Sequence, residues 1–482
     1  MRLDEYVWSR NPRGLHVSRI LVTPLEHSRY VKMQAGWVKL VAVGDEYVDD
    51  AGIFMSMGIT PVVRIYRERP GIKPFTPDLR DTFMWYLNAG VKWFEYQNEP
   101  NLPIEWPVGT NITYQNFDGI IRPLMDNWLQ WAEFIISMGG YPGFPALADT
   151  NDATASTLYW MDAFLGYLQR SHFDRFKAIL ANGAWCATHP YILNHFYQTW
   201  PGRPITEARP PEAVNAREPG WHFEYPYDPI CQMTDPGRTV YGSAAKEPHG
   251  DPVGLTASGR LFNERCASIW GTQAVPVLGT EGGIWPIPEI YGNPWFYQQD
   301  NRYPMYTTFS QAEGTVAMYE WIATTAPEWF FGVCLWKEDE YYTPYGIRAI
   351  ERMAETPVIL KNVPPTEVFS ENGPGSGSGE PTYHMVILAP GLPPEWFYET
   401  AQAYWNLYRP IVTNTWSMID FIPRVQSLAC TIIATPDVAQ GMVETLRGRY
   451  PNVFIDLVLA RGNLQDVADV FNSRVFASRR FG

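Results

Sequence analysis

The chain has no run of 18 or more apolar residues, and its first segment, "MRLDEYVWSRNPRG", has no apolar h-region. Neither an α-helical membrane span nor a secretory signal is therefore expected in the chain as it stands. A cytoplasmic location is the expectation, with export of a longer precursor left open. Cysteine is scarce: Cys186, Cys231, Cys266, Cys334 and Cys430 are the five, and no two form a C-x-x-C pair. An odd set cannot all be bridged, so mostly reduced, buried thiols are expected. Positive charge is in deficit, with 37 Lys and Arg against 51 Asp and Glu and a net charge of -14. Such a surface repels phosphate backbones and anionic headgroups, which argues against a nucleic-acid partner. H-E-x-x-H, H-x-H, G-x-S-x-G and a P-loop are all missing, against metallohydrolase, serine hydrolase and NTPase chemistry. His222, Asp228 and Cys231 follow no regular ligand spacing, so no metal and no cofactor are expected.

What remains is a globular composition, 46% hydrophobic and 18% charged over 482 residues, long enough for one large barrel and a smaller domain. Twenty Trp and 28 Tyr exceed ordinary core needs, and their flat rings suit sugar faces as well as core packing. Short β-branched or aromatic runs alternate with helical-period segments from residue 14 to about 356. Eight strands are predicted, at 14–18, 37–43, 60–66, 92–98, 143–148, 183–188, 275–280 and 331–336. Between them lie helices such as "TPDLRDTFMWYLNAG", with Thr76 as N-cap, Pro77 at N1 and Gly90 as the stop. Eight βα units, with no G-x-G-x-x-G after the first strand, predict a closed (β/α)8 TIM barrel over residues 1–365.

Two segments interrupt this rhythm. Residues 196–255 are rich in Pro, Gly and aromatics and follow the sixth strand, where an insertion would stand on the catalytic face as a lid, a substrate wall or a packed excursion. Residues 366–381 have the Gly/Ser/Pro composition of a tether. Beyond it, 382–482 reads as a small three-layer α/β domain with strands "HMVILA", "LACTIIA" and "VFIDLVLA" and helices between and after them. It carries no nucleotide or metal motif, and a partner for it is left open.

In a parallel barrel the C-terminal strand ends converge on one face, so polar residues there are read as chemical. Glu99 closes "VKWFEYQNEPN" and Glu281 closes "VPVLGTEGG". The fourth and seventh strands stand nearly across the barrel from one another, so both carboxylates can reach one substrate. Two carboxylates about 5–5.5 Å apart make a retaining glycosidase pair, one a proton donor and the other a nucleophile. "FEYQNEP" (94–100) resembles the fourth-strand motif F-E-x-x-N-E-P of the clan A glycoside hydrolases, the barrel enzymes related to cellulases, β-mannanases and β-glucosidases. That resemblance makes Glu99 the acid/base, Asn98 the ligand of the sugar 2-hydroxyl and Glu281 the nucleophile. It also picks out Arg64 on the third strand, His189 and Tyr191 in "THPY" after the sixth, and Trp336 on the eighth, as residues that hold the nucleophile or floor the first sugar subsite. It covers roughly residues 14–350 and implies hydrolysis of a β-linked carbohydrate.

Other acids compete. Glu95, four residues deeper than Glu99, reads as a buried partner of a basic group. Asp149, Asp152, Glu338, Asp339 and Glu340 follow strands five and eight and read as substrate contacts or solvated loop charges. Two rival functions remain: a carbohydrate-binding barrel without turnover, and a scaffold for the C-terminal domain.

Overall fold

A computed structural model of the protein describes residues 1–18, 24–150, 153–192, 196–199, 211–242, 254–286, 307–363, 381–423, 426–461 and 464–482. They fall into two compact units, Met1–Cys266 with Ala274–Pro364, and Ala267–Gln273 with Pro365–Gly482.

All eight predicted strands of the first unit form: β1 (Arg13–His16), β2 (Trp37–Ala42), β3 (Thr60–Ile65), β4 (Trp93–Glu95), β5 (Tyr141–Phe144), β6 (Trp185–Thr188), β7 (Val277–Gly279) and β8 (Phe330–Leu335). Every pairing is parallel, and β8 closes the ring onto β1. The helix after β3 is Pro77–Asn88 with Thr76 at its N-cap, and the chain leaves it through Gly90 at φ +98°. Only glycine adopts that conformation without strain.

Side-chain alternation decides what fills the ring. The register sets Lys39 opposite Val62, Arg64 opposite Glu95 and His16 opposite Lys39, so residues of one parity share the inner face. At the N-terminal end that face is apolar and aromatic: Trp37, Trp93, Tyr141, Trp185 and Phe331 pack with Tyr6. One step toward the C-terminal end it turns ionic, with Lys39 and Glu95 both wholly buried. The mouth of the barrel thus stands on a charged layer, which stands on a hydrophobic plug.

Of the insertion at 196–255, segments 200–210 and 243–253 lie outside the described residues. The rest includes a short antiparallel ribbon, Tyr197–Gln198 against Trp221–His222, and the helix Pro229–Thr234. Asp228 caps that helix by accepting from Cys231 N, which gives it a local structural task. The insertion is tied down by Glu313, whose carboxylate accepts from Ala216 N at 2.8 Å and also pairs with Arg352. None of the five cysteines is joined in a disulfide, and all five are buried. Among the described residues no helix is long and apolar enough to cross a membrane, and no three His, Cys, Asp or Glu side chains are grouped to hold a metal.

The predicted tether falls, except for Pro381, outside the described residues. Among the described residues the second unit holds four parallel strands rather than the three read from the sequence: β9 (Tyr383–Leu388), β10 (Ile411–Thr413), β11 (Leu428–Ala434) and β12 (Phe454–Leu459), in the order β10-β9-β11-β12. The missed β10 is three residues long, too short for a period to show. Helices cover both faces of the sheet. The C-terminal helix Leu464–Phe476 is fixed by Arg474, which makes two hydrogen bonds to Asp456, at 2.6 and 3.0 Å.

Candidate active site

The chain beyond β4 leaves regular structure after Glu95, so Glu99 stands on a loop four residues past the strand rather than at its last position. That loop is stiff. The Asn101 side chain donates to Ala148 O at 3.0 Å and Ala155 O at 2.8 Å and accepts from Ala148 N at 3.0 Å. Trp106 Nε1 donates to Pro100 O at 2.9 Å. Lys73, buried, places its Nζ on the carbonyls of Ile65 and Tyr96, joining the ends of β3 and β4. Between these anchors Glu99 is held at φ +31°, a backbone state that costs a non-glycine residue about 1–3 kcal/mol. Strain of this kind persists only where surroundings over-determine it.

Glu281 is placed by glycines. After β7, Thr280 N donates to Thr188 O and Gly283 N to Pro190 O, so this loop follows the end of β6. A Cβ on Gly282 would lie 2.6 Å from Pro190 O, and one on Gly283 2.5 Å from Leu335 Cδ2. Both glycines have positive φ. The "EGG" run is therefore a requirement of close backbone approach, and Trp336 N donating to Gly282 O at 3.1 Å ties in the end of β8.

These two loops bring the carboxylates around one imidazole. His189, wholly buried, sets Nδ1 at 2.8 Å from Glu99 Oε1 and at 3.8 Å from Glu281 Oε2. Its Nε2 stands 3.8 Å from Glu95 Oε1. Burial alone would lower its pKa; the carboxylates of Glu281, Glu99 and Glu95 outweigh it and raise it to about 10, so the ring is a cation and Nδ1 donates to Glu99. Glu281 also accepts from Tyr191 OH at 3.0 Å, and Arg64 Nη1 lies 3.1 Å from its Oε1. Burial pushes this carboxyl up, but His189 and Arg64 pull it down to about 2. Glu281 is ionised at any ordinary pH. His16, 3.7 Å from the same oxygen, is held down to about 3 by burial and is neutral.

Underneath, Glu95 pairs with Lys39 and with Arg64 at 3.3 Å. Burial opposes its ionisation, yet Lys39, His189 and Arg64 hold it well below the usual carboxylate range. Arg64 is shared: the same guanidinium reaches Glu95, Glu281 and Asn98 Oδ1. Beside the pair a cavity of about 540 Å³ opens, with His16, Tyr47, Arg64, Tyr66, Trp336 and Lys337 on its wall. The Trp336 ring lies 4.5 Å from His16, tilted by 60°.

All seven residues singled out in the sequence, Arg64, Asn98, Glu99, His189, Tyr191, Glu281 and Trp336, are thus brought to one end of the barrel. Among the competing acids, Glu95 is buried in the ionic layer, Asp149 accepts from Ser258 Oγ, Glu338 pairs with Arg29 and Glu340 accepts from Trp285 Nε1. Asp152 lies outside the described residues. Lys39, His16 and Glu105 belong to the neighbourhood and were not anticipated. For Lys39 a signal existed: a lysine inside the apolar run "WVKLVAV" must find a buried partner.

The site is a carboxylate pair with a built cationic support at the mouth of a closed (β/α)8 barrel. No protein-family model and no curated protein matches the chain. Among solved structures it is similar to a GH128 (subgroup III) curdlan-specific exo-beta-1,3-glucanase from Blastomyces gilchristii in complex with glucose, at 12% identity over 73% of this chain and 100% of that one, TM-score 0.38. A GH128 (subgroup II) endo-beta-1,3-glucanase from Sorangium cellulosum matches at 10% identity over 72% and 99%, TM-score 0.38. An exo-beta-1,4-mannosidase from Opitutaceae bacterium strain TAV5 matches at 10% over 86% and 75%, TM-score 0.33. Likenesses this slight carry neither substrate nor residue roles to this chain.

Proposed function

We propose that the protein is a retaining glycoside hydrolase acting on β-linked glycosides or polysaccharides, with Glu281 as nucleophile and Glu99 as acid and base. The observation that supports this most is the shared imidazole. The nearest oxygens of Glu99 and Glu281 can be no farther apart than 2.8 Å and 3.8 Å laid end to end. That limit puts both carboxylates within reach of one glycosidic bond and is compatible with the roughly 5–5.5 Å between the carboxyl groups of a retaining pair.

In this reading Glu281, kept ionised by Arg64 and His189, attacks the anomeric carbon while Glu99, entering the step protonated on the oxygen that His189 does not hold, gives that proton to the leaving oxygen. Glu99 then removes a proton from the water that releases the sugar from Glu281. Tyr191 holds the nucleophile's second oxygen, Asn98 contacts the sugar 2-hydroxyl, and Trp336 offers a stacking face in the adjoining cavity. No step calls for a cofactor.

The test is hydrolysis of a panel of β-aryl glycosides by the wild type and by Glu281→Ala, with the anomer first released read by proton NMR. Retention of configuration and a loss of about a thousandfold or more in the variant are expected. Inversion, or activity surviving in Glu281→Ala, removes Glu281 from its role.

A further inference from the structure

Glu105 lies six residues beyond the proposed acid/base, on the turn Pro103–Glu105, and has no part in the chemistry above. Its backbone is fixed on both sides: Glu105 O accepts from Gly71 N at 2.9 Å, and Glu105 N donates to Leu102 O at 3.2 Å. The side chain turns toward the site, where its Oε1 accepts from Asn98 Nδ2 at 2.8 Å. Burial pushes this carboxyl up, while the bond from Asn98 and the charge of Arg64 act against that.

Asn98 is therefore gripped by two groups of opposite sign. The Arg64 guanidinium donates to Oδ1, and the Glu105 carboxylate accepts from Nδ2. An amide turned end for end would set its NH2 against a cation and its oxygen against an anion, so only one orientation is stable. A primary amide has two N–H bonds, and Glu105 takes one. The other remains for a ligand.

We propose that Glu105 is a positioning residue for this site: together with Arg64 it locks the Asn98 amide in the single orientation that presents its second N–H to a substrate hydroxyl. This rests on the glycosidase reading given above. It assigns Glu105 an effect exerted wholly through Asn98.

A double-mutant cycle on kcat/KM, using whichever β-aryl glycoside the wild type cleaves best, tests it. Glu105→Ala is expected to lower kcat/KM roughly 10- to 100-fold, the range of one charge-assisted hydrogen bond. Asn98→Ala should lower it at least as far, and the double variant no further than Asn98→Ala alone. Glu105→Gln keeps an acceptor for Nδ2 and should recover to within about fivefold of wild type. A loss in Glu105→Ala below about twofold, losses that multiply in the double variant, or a glutamine variant as poor as the alanine one would each overturn the proposal. A general weakening of the fold would appear as a multiplying loss and is counted against it. A wild type that cleaves no β-glycoside removes the glycosidase reading itself, and this proposal with it. An active wild type with a silent Glu105→Ala removes this proposal alone.

Discussion

Replacing Lys39 by methionine takes a cation out of the inside of the barrel while leaving its partner, Glu95, in place. Neither side chain has measurable exposure, and Lys39 is the first of the charges that hold Glu95 ionised. Breaking a buried ion pair from one side costs about 3–5 kcal/mol, because the remaining charge stays in a medium that solvates it poorly. Glu95 keeps Arg64 at 3.3 Å and His189 at 3.8 Å, so the lower end is expected, about 3 kcal/mol. Urea unfolding at pH 7 reads this directly, since Trp37, Trp93 and Trp185 lie in the hydrophobic layer beneath the pair. With a slope of roughly 3 kcal/mol/M, the midpoint should fall by about 1 M. The carboxyl of Glu95 is left with a higher pKa in the folded variant, so the penalty should shrink as pH falls through that value and grow as it rises. Lys39→Met/Glu95→Leu removes both charges and should recover most of the loss. A penalty under about 1 kcal/mol, or a double variant no more stable than the single one, would refute the ionic layer as described.

Three further outcomes follow from the same geometry. Glu99→Gly should be more stable than Glu99→Ala by about 1 kcal/mol, because both lose the carboxylate and only glycine relaxes at φ +31°; equal stability in denaturant titrations would contradict the strain. Gly282→Ala drives a Cβ into the backbone of Pro190, and both a loss of stability of about 2 kcal/mol or more and near-complete loss of the proposed glycosidase activity are expected, with melting curves and initial rates as the measurements. His189, whose folded pKa of about 10 exceeds its ordinary value of 6.5, contributes stability that is fully present below pH 6.5 and lost as pH rises toward 10. Wild type should therefore lose stability relative to His189→Gln between pH 7 and 10, by an amount on the order of a few kcal/mol, and parallel pH–stability curves would show that the ring is not a buried cation.

Much of the barrel was legible because its signals are local. The helix at 77–88 carries its own start and stop in Thr76, Pro77 and Gly90, and each barrel strand is bounded by turn residues within a few positions. The two carboxylates stood out because each follows an apolar run, whereas an acid inside such a run, as Glu95 is, needs a buried cationic partner. The strand ends were harder: β4 stops at Glu95, three residues short of the predicted limit, because pairing and not apolar character ends a strand. Glu105 gave no usable signal, since a single glutamate in the Pro-rich turn "NLPIEWPVG" fits no motif and only the folded turn aims it at Asn98.

Periodicity alone pointed to eight strands with helices between them, and the sequence set acidic side chains after the fourth, fifth, seventh and eighth of those strands. They could not say which charges meet. Lys39, Arg64, Glu95, His189 and Glu281 come from five different strands or their loops, and their contacts depend on register and closure across separations of tens to hundreds of residues. The sign and state of each group, an imidazole at about 10 beside another at about 3, arise only when burial and neighbours act together in space.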